Sequence, residues 1–329
     1  MLAASWRTPP PSISTAESRS LLSNQNRRPT MSDIQNGPFI VTGASGQLGR
    51  QVVDLLLQAG AGPIIAVSRN TEKLADLADK GVETRKGDFN DPASLGAAFT
   101  DGKRLLIIST DDLHPGKRLA AHSNAVAAAK AVGIGHIVYT SFAGPVPESP
   151  IGFARDHQGT EKLIADSGAD YTILRNNMYT DFLLMGGSQS VAMGKHFAAA
   201  AEGKTGYVTR ADCARAAAAA LMTATGKQTL DITGPQTVSQ AEVAAILSDV
   251  AGKEIPYIAL PAEDLAQAMI GNGLPEFMAR VFVSFDEAMA QGFLDVASDD
   301  LKTLTGQPGQ SVRDFLMANR AALLTPPQR

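Results

Sequence analysis

Residues 39–49 read F-I-V-T-G-A-S-G-Q-L-G. They place glycines in the spacing G-x-x-G-x-x-G between a buried strand and the start of a helix, which is the context of a dinucleotide-binding turn. The first glycine permits the tight turn, the second lets a pyrophosphate approach the backbone, and the third lets the helix pack on the strand. The free N–H groups of the helix N-terminus then face the phosphates. The sequence therefore predicts cofactor contacts by Gly43, Ser45, Gly46, Gln47, Leu48 and Gly49.

The residue that ends the second strand indicates which dinucleotide binds. Strand 63–68 is followed by Arg69, where a site for NAD usually carries Asp or Glu to bind the ribose 2′-hydroxyl. A guanidinium at this position binds a 2′-phosphate through charge-assisted, bidentate hydrogen bonds. Lys73 follows one helical turn later and adds a second cation. NADPH is therefore predicted over NADH, the alternative being an arginine that is simply solvated at a strand end.

Composition argues against several classes of function. The chain has 329 residues, 44% of them hydrophobic, and a net charge of −4, whereas a nucleic-acid partner needs a basic face. No apolar run approaches the roughly 18 residues that a membrane span requires. The five histidines lack metal-ligand spacing, so we expect no metal site. The single cysteine, Cys213, indicates a reducing compartment, and we expect a cytoplasmic protein.

Residues 1–37 differ in composition from the rest of the chain. They are rich in Ser, Pro and Arg and show no hydrophobic periodicity, which predicts a disordered N-terminal extension. Four arginines give the segment a faint resemblance to an organellar transit peptide. The alternative, which we favour, is that translation begins at Met31.

From Phe39 onward, predicted strands and helices alternate as a parallel sheet demands. We expect a doubly wound Rossmann fold over residues 38–176, in which ligands bind at the carboxyl ends of the strands. Residues 177–329 are expected to form mainly a smaller α/β substrate lobe, with some segments returning to the first domain. The predicted strands of the six-stranded core are 39–42, 63–68, 82–86, 104–110, 136–141 and 171–174, and the helices between them are 50–59, 71–80, 92–99, 116–132 and 154–167. Beyond them we expect a Gly- and Ala-rich stretch (186–206), helices 211–222 and 239–251, strand 229–233, and mostly short helices over 254–324.

These motifs resemble the atypical short-chain dehydrogenase/reductase family. More narrowly, the chain is similar to its NmrA-like branch, which includes the type 2 NAD(P)H:quinone oxidoreductases. The resemblance covers about residues 38–324. The family motifs are Thr42–Gly49, Arg69, Gly87–Phe89 and Tyr139–Ser141, and similarity to the quinone reductases in particular lies in Asp156–His157, Thr160–Gly168, Tyr171–Asn176 and Thr209–Asp212.

The chain departs from ordinary family members at the catalytic pair. A typical short-chain dehydrogenase carries Tyr-x-x-x-Lys on the helix after the fifth strand, where the lysine lowers the pKa of the tyrosine so that it protonates a carbonyl oxygen. The resemblance places Phe153 at the tyrosine and His157 at the lysine. Reversible alcohol–ketone chemistry is therefore not expected.

Two functions survive this loss. A quinone accepts a hydride readily and needs orientation over the nicotinamide more than a strong general acid, so the resemblance implies a quinone reductase without flavin or metal. His157, with an ordinary pKa near 6.5, would then supply or relay a proton, unless water does so or the histidine lies on a helix surface. The alternative is an NmrA-like sensor that binds NADPH without turnover. A homodimer is a further possibility that the sequence does not decide.

The resemblance also assigns roles to residues at the strand ends. It implies that Asp88 and Phe89 contact the adenine end of the cofactor, Asp88 being otherwise a turn aspartate, and that Ser109 and Thr110 lie against a ribose. Ser141 is expected at the nicotinamide or a quinone oxygen.

Three residues are expected to border the substrate. Phe142 would stack on the quinone ring or belong to the core, Asn176 would contact the cofactor at the reacting end, and Tyr179 would line the substrate pocket.

Overall fold

The computed structural model describes residues 37–325, and the predicted N-terminal extension lies almost wholly outside this range. Its centre is a seven-stranded sheet in which every neighbouring pair is parallel. The order β3-β2-β1-β4-β5-β6-β9 reverses between β1 and β4, so the predicted doubly wound fold is confirmed. The elements of this part are β1 (Phe39–Val41), α1 (Gln47–Gln58), β2 (Ile64–Ser68), a 3₁₀ turn (Thr71–Leu74), α2 (Ala75–Ala78), β3 (Glu83–Lys86), α3 (Pro92–Phe99), β4 (Arg104–Ile107), α4 (Lys117–Ala131), β5 (His136–Phe142), α5 (Ala154–Ala165), β6 (Asp170–Asn176), α7 (Arg210–Thr223) and β9 (Lys227–Ile232).

The strands are apolar on both faces because helices cover both. In β1, Phe39 and Val41 point to a core shared with α1 and α7, while Ile40 points to the opposite core against α3, α4 and α5. This explains the near-continuous apolar runs of β1, β2 and β4, since a strand buried on both sides shows no polar alternation.

The predicted six-stranded core is one strand short. β9 extends the sheet beyond β6, with a register from Tyr171 opposite Lys227 to Asn176 opposite Ile232. Its sequence, KQTLDI, mixes polar and apolar residues because it is an edge strand that remains partly exposed. The strand itself was expected at 229–233, but its polar composition does not reveal that it joins the sheet.

A second apolar core lies beyond the sheet and includes Met178, Val243, Leu247, Leu294 and Leu316. Two small sheets flank it, an antiparallel pair of β8 with β10 and a parallel pair of β7 with β11. The elements of this part are α6 (Phe182–Met193), β7 (His196–Ala198), β8 (Lys204–Thr205), β10 (Val238–Ser239), α8 (Gln240–Ala251), β11 (Tyr257–Ala259), α9 (Ala262–Gly271), α10 (Glu276–Ala290), α11 (Asp300–Thr305), α12 (Val312–Ala318) and α13 (Arg320–Leu324).

Two long helices are absent from the sequence expectations. α6 occupies part of the predicted Gly- and Ala-rich stretch, and its Gly187 packs so closely on Leu323 and Leu247 that a Cβ would lie 2.8 Å from the Leu323 side chain. The glycine is therefore a packing residue and not a helix breaker. α10 spans 15 residues in a region where mostly short helices were expected. Within residues 37–325, no helix is both long and apolar enough to cross a bilayer.

Candidate functional site

A cavity of about 330 Å³ opens at the carboxyl ends of β1, β2 and β4. Its walls are the glycine turn, the end of β2, residues 87–90 and residues 108–112, with Lys117 and Ala121 of α4 closing one side. This is where a doubly wound sheet binds its ligand, at the point where the strand order reverses. The predicted site residues that line it are Gly43, Ser45, Gly46, Arg69, Asp88, Phe89, Ser109 and Thr110.

The glycine turn has the geometry that close phosphate approach requires. Gly43 has φ +60°, and its carbonyl accepts a hydrogen bond from the Gly46 N–H at 2.9 Å. Gly46 is the N-cap of α1 and offers no side chain, so the first N–H groups of the helix are left for a ligand. A Cβ on Gly49 would run into the Gly43 carbonyl oxygen. The geometry agrees with the predicted turn at Gly43 and the predicted close packing at Gly49, and the pyrophosphate contact of Gly46 stays a prediction.

Other turn residues face away from the cavity or towards its rim. Leu48 and Gly49 are buried under the turn. Gln47 is exposed, and its Oε1 accepts a hydrogen bond from Arg210 of α7. The contacts predicted between these three residues and a dinucleotide stay predictions.

The end of β2 presents Arg69 to the cavity. The side chain is exposed, and Ser68 beside it donates to Ser45 Oγ at 2.9 Å, which ties β2 to the glycine turn. Lys73 is exposed as well, but it is not among the residues that line the cavity, and its carbonyl accepts a hydrogen bond from Arg50 at 2.6 Å. The geometry thus supports Arg69 as the phosphate ligand more directly than Lys73.

Asp88 and Phe89 form the wall next to β3. Asp88 Oδ1 accepts the Asn90 N–H at 2.9 Å, so the carboxylate closes a turn as well as lining the cavity. The turn interpretation of Asp88 is therefore observed, and its contact with the adenine stays a prediction. The Phe89 ring meets His122 of α4 edge-on, with 6.1 Å between ring centroids.

Two polar side chains at the strand ends are buried without a partner in the described part of the chain. They are Thr110, whose Oγ1 is unpaired, and Asn176, whose amide N and O are both unpaired. Thr110 follows β4 and lines the cavity, and Asn176 ends β6 next to Phe142 of β5. Buried polar groups are rarely left without hydrogen bonds, so both are suited to a polar ligand lying along this edge of the sheet. A dinucleotide fits these residues.

Ser141 is engaged elsewhere. Its hydroxyl donates to Glu161 Oε1 of α5 at 2.6 Å, and Glu161 is held in turn by Arg175 through hydrogen bonds of 3.0 and 2.7 Å. Ser141 is not among the cavity-lining residues, so its cofactor contact stays a prediction.

His157 differs from both sequence expectations of its surroundings. It is 2% exposed, so it is not a surface histidine, and burial together with the nearby charge of Arg118 holds its pKa well below 6.5. This direction disfavours a charged imidazolium at neutral pH. Its Nδ1 lies 2.7 Å from the Tyr139 hydroxyl and its Nε2 3.4 Å from Arg118 Nη1. His157 is not among the residues that line the cavity, and its catalytic role stays a prediction.

Phe153, which the resemblance places at the family tyrosine, lies among other aromatic residues. Phe153 caps the start of α5 and contacts Phe142 and Phe285 edge-on at centroid distances of 5.5 and 5.9 Å. The Arg118 guanidinium lies 4.8 Å from the Phe153 ring centroid. Phe142 packs against the second apolar core, as in the alternative interpretation, and its stacking on a substrate stays a prediction.

Tyr179 lies between the two parts of the molecule. Its ring is partly buried, stacks on Phe182 at 6.1 Å and receives the Arg210 guanidinium 5.3 Å from its centroid. Burial raises the pKa of its hydroxyl, so the phenol stays protonated. Arg210 also pairs with Asp181 at 3.0 Å.

Sequence reasoning missed the buried polar cluster under the cavity. His122, Arg118 and Tyr139 are buried. Tyr139 belongs to the family motif 139–141, whereas His122 and Arg118 stand in no recognisable motif. Asp156 accepts both the Gly116 N–H, at 3.0 Å, and the Leu119 N–H, and so fixes the start of α4. Only the assembled fold brings these residues together.

The sheet order, the turn and the cavity define a dinucleotide-binding Rossmann protein. A family model described as NAD(P)H-binding matches residues 43–224, and the chain belongs to this family. It is 36% identical over 270 residues to quinone oxidoreductase 2 of Escherichia coli, covering 82% of this chain and 93% of that protein. It is 31% identical over 286 residues to an NAD(P)H azoreductase of Xenophilus azovorans, covering 86% and 98%.

The fold gives the same result. It matches the crystal structure of an NADPH-dependent quinone oxidoreductase of Escherichia coli complexed with NADPH, with a TM-score of 0.81, 34% identity, and coverage of 85% of this chain and 99% of that one. The predicted resemblance to the quinone reductases of the atypical short-chain dehydrogenase family is thereby confirmed.

Proposed function

We propose that this protein is an NADPH-dependent oxidoreductase that reduces a quinone or a similarly electrophilic acceptor by direct hydride transfer. The observation that carries the proposal is the cavity that joins the glycine turn to Arg69 at the end of β2, a strand end without a carboxylate. The relatives support it, since they are named for the reduction of quinones and of azo compounds.

Different residues of the chain would bind different parts of NADPH. The N–H groups at the start of α1 face the pyrophosphate, with Gly43 and Gly46 leaving room for it. Arg69 binds the 2′-phosphate, which distinguishes NADPH from NADH. Thr110 and Asn176, whose side-chain polar atoms are unpaired within the described residues, would hydrogen-bond to the cofactor.

When bound, NADPH supplies the hydride, and a quinone that gains this hydride and one proton becomes a hydroquinone. Phe153 stands where the family tyrosine would protonate a carbonyl oxygen, and it has no proton to give. Burial keeps the Tyr139 hydroxyl protonated and the His157 ring neutral. We therefore assign the proton to water and the selectivity to orientation of the acceptor.

The test is to follow NADPH oxidation by the purified protein with a panel of small quinones, without added flavin. The proposal expects steady oxidation that depends on quinone and yields one hydroquinone per NADPH. Stoichiometric NADPH binding without turnover would refute it and favour a sensor.

The location and the oligomeric state of the protein are two further proposals. The single cysteine is buried in α7, and burial raises the pKa of its thiol, as suits an unreactive residue in a reducing, cytoplasmic setting. A homodimer stays a prediction, which light scattering at two protein concentrations would test.

A further inference from the structure

The cavity wall after β4 is held from beneath by a histidine. Thr110 lies in this wall, and its backbone N–H donates to His122 Nε2 of α4 at 3.1 Å. The Thr110 hydroxyl is buried and lacks a partner among residues 37–325. The histidine thus fixes the backbone of Thr110 and leaves its side chain for a ligand.

The hydrogen bonds of His122 fix its tautomer. Because Nε2 accepts from the Thr110 N–H, Nε2 carries no proton, and the ring proton sits on Nδ1. Nδ1 donates to Thr160 Oγ1 at 3.0 Å, and the Thr160 hydroxyl donates to the Asp156 carbonyl at 2.7 Å. The ring is fully buried, so moving the ring proton from Nδ1 to Nε2 would set two N–H groups against each other without solvent to relieve them.

Two further buried residues, Tyr139 and His157, extend the cluster around the ring. The Tyr139 hydroxyl lies 3.3 Å from His122 Nδ1 and 2.7 Å from His157 Nδ1, and the Tyr139 and His122 rings meet edge-on at 5.4 Å. Tyr139 is 0% and His157 2% exposed. The cluster therefore links α5, β5 and α4 to the cavity wall.

The series of contacts from His157 through Tyr139 and His122 ends on the backbone amide of Thr110. A proton passed along Tyr139 to His122 would meet the Thr110 N–H, which is itself a donor. The cluster is thus built to hold a position and not to deliver a proton.

We propose that His122, supported by Tyr139 and His157, is a positioning residue that presents the Thr110 hydroxyl to bound NADPH. The inference rests on the proposed function as far as it names NADPH as the ligand of the cavity. It gives His157, the residue that the resemblance places at the family lysine, a positioning role that acts through Tyr139 and His122. Since a small misplacement of a ligand-binding group weakens binding sharply, loss of the Nε2 acceptor releases the wall that carries Thr110.

The test compares two amides at position 122. In His122→Gln the side-chain oxygen lies as many bonds from Cγ as Nε2 does and accepts the Thr110 N–H. In His122→Asn the amide reaches Thr160 but not Thr110. NADPH dissociation constants, measured by fluorescence titration, are expected to rise about tenfold for Asn and to stay within about threefold of wild type for Gln. The KM for NADPH rises with the dissociation constant, while kcat at saturating NADPH stays within about threefold.

Equal weakening in both amide variants, or none in either, would overturn the proposal. If the Asn variant melts at a much lower temperature, His122→Met is measured in its place, since it fills the volume without an acceptor. Thr110→Val provides the specific control: in that background His122→Asn is expected to cost nothing further, and a full additional loss would contradict action through the hydroxyl. Binding without quinone turnover by the wild type refutes the proposed function alone. Absence of NADPH binding refutes both.

Discussion

Replacing Arg69 by alanine is the sharpest test of cofactor choice. Its guanidinium is exposed at the cavity rim, at the end of a strand that carries no carboxylate. Hydrogen bonds to a charged group contribute about 1.5 to 3 kcal/mol, and about 1.4 kcal/mol corresponds to a factor of ten. Arg69→Ala is therefore expected to raise the dissociation constant for NADPH by about 10- to 100-fold. The affinity for NADH, which lacks the 2′-phosphate, should change less than about threefold.

The assay is a titration of each variant with NADPH and with NADH at one fixed ionic strength, because the phosphate contact is screened by salt. Lys130→Ala, which removes a cation at the far end of α4, is the matched control and should leave both affinities unchanged. Lys73→Ala measures the second predicted cation and is expected to have a smaller effect than Arg69→Ala. An Arg69 variant that loses NADPH and NADH affinity equally, or neither, would refute the assignment of the 2′-phosphate to this residue.

Three further outcomes are expected. Gly49→Ala drives a methyl group into the Gly43 carbonyl and should lower the free energy of unfolding by about 1 to 3 kcal/mol and remove most NADPH affinity. Gly96→Ala, with open space around its Cβ, is the control and should not destabilise the protein. Denaturant melts measure the stability, and titration with NADPH measures the affinity. Burial lowers the His122 pKa from 6.5 to about 3, so the unfolded state binds the extra proton between these two pH values. The free energy of unfolding therefore falls as pH drops below 6.5, by up to about 1.4 kcal/mol per pH unit. His122→Gln should make this pH dependence less steep, and an unchanged slope would contradict the pKa shift. Burial raises the Asp286 pKa from 3.8 to about 6, so stability is lost as pH rises from 3.8 to 6. Asp286→Asn should therefore raise the melting temperature at pH 8 and not at pH 3. Equal shifts of the melting temperature at both pH values would be inconsistent with the raised pKa.

The phosphate turn and the first strands could be predicted because their signals are local. The helix 92–99 was predicted at its observed bounds, since Asp91 and Pro92 mark its start. The cavity places most of the predicted turn and strand-end residues together, because parallel strands bring their carboxyl ends to one edge.

The remainder depends on contacts between distant segments. α6 was missed because Gly187 suggests a helix break, although its close approach to Leu323 is what the glycine serves. His122 sits in an alanine-rich helix, and its partner Thr160 is 38 residues away. The low pKa of His157 likewise comes from burial among neighbours that the sequence does not bring together. Burial and pairing across elements were therefore beyond sequence reasoning.

We propose that this chain itself passes a hydride from NADPH to a quinone. The most direct measurement is a single turnover, in which protein saturated with NADPH is mixed with a small quinone in a stopped-flow cell without flavin. We expect the amount of NADPH oxidised, measured from the loss of its absorbance, to equal the amount of hydroquinone formed. Persistent NADPH absorbance in a protein that binds NADPH stoichiometrically would contradict it.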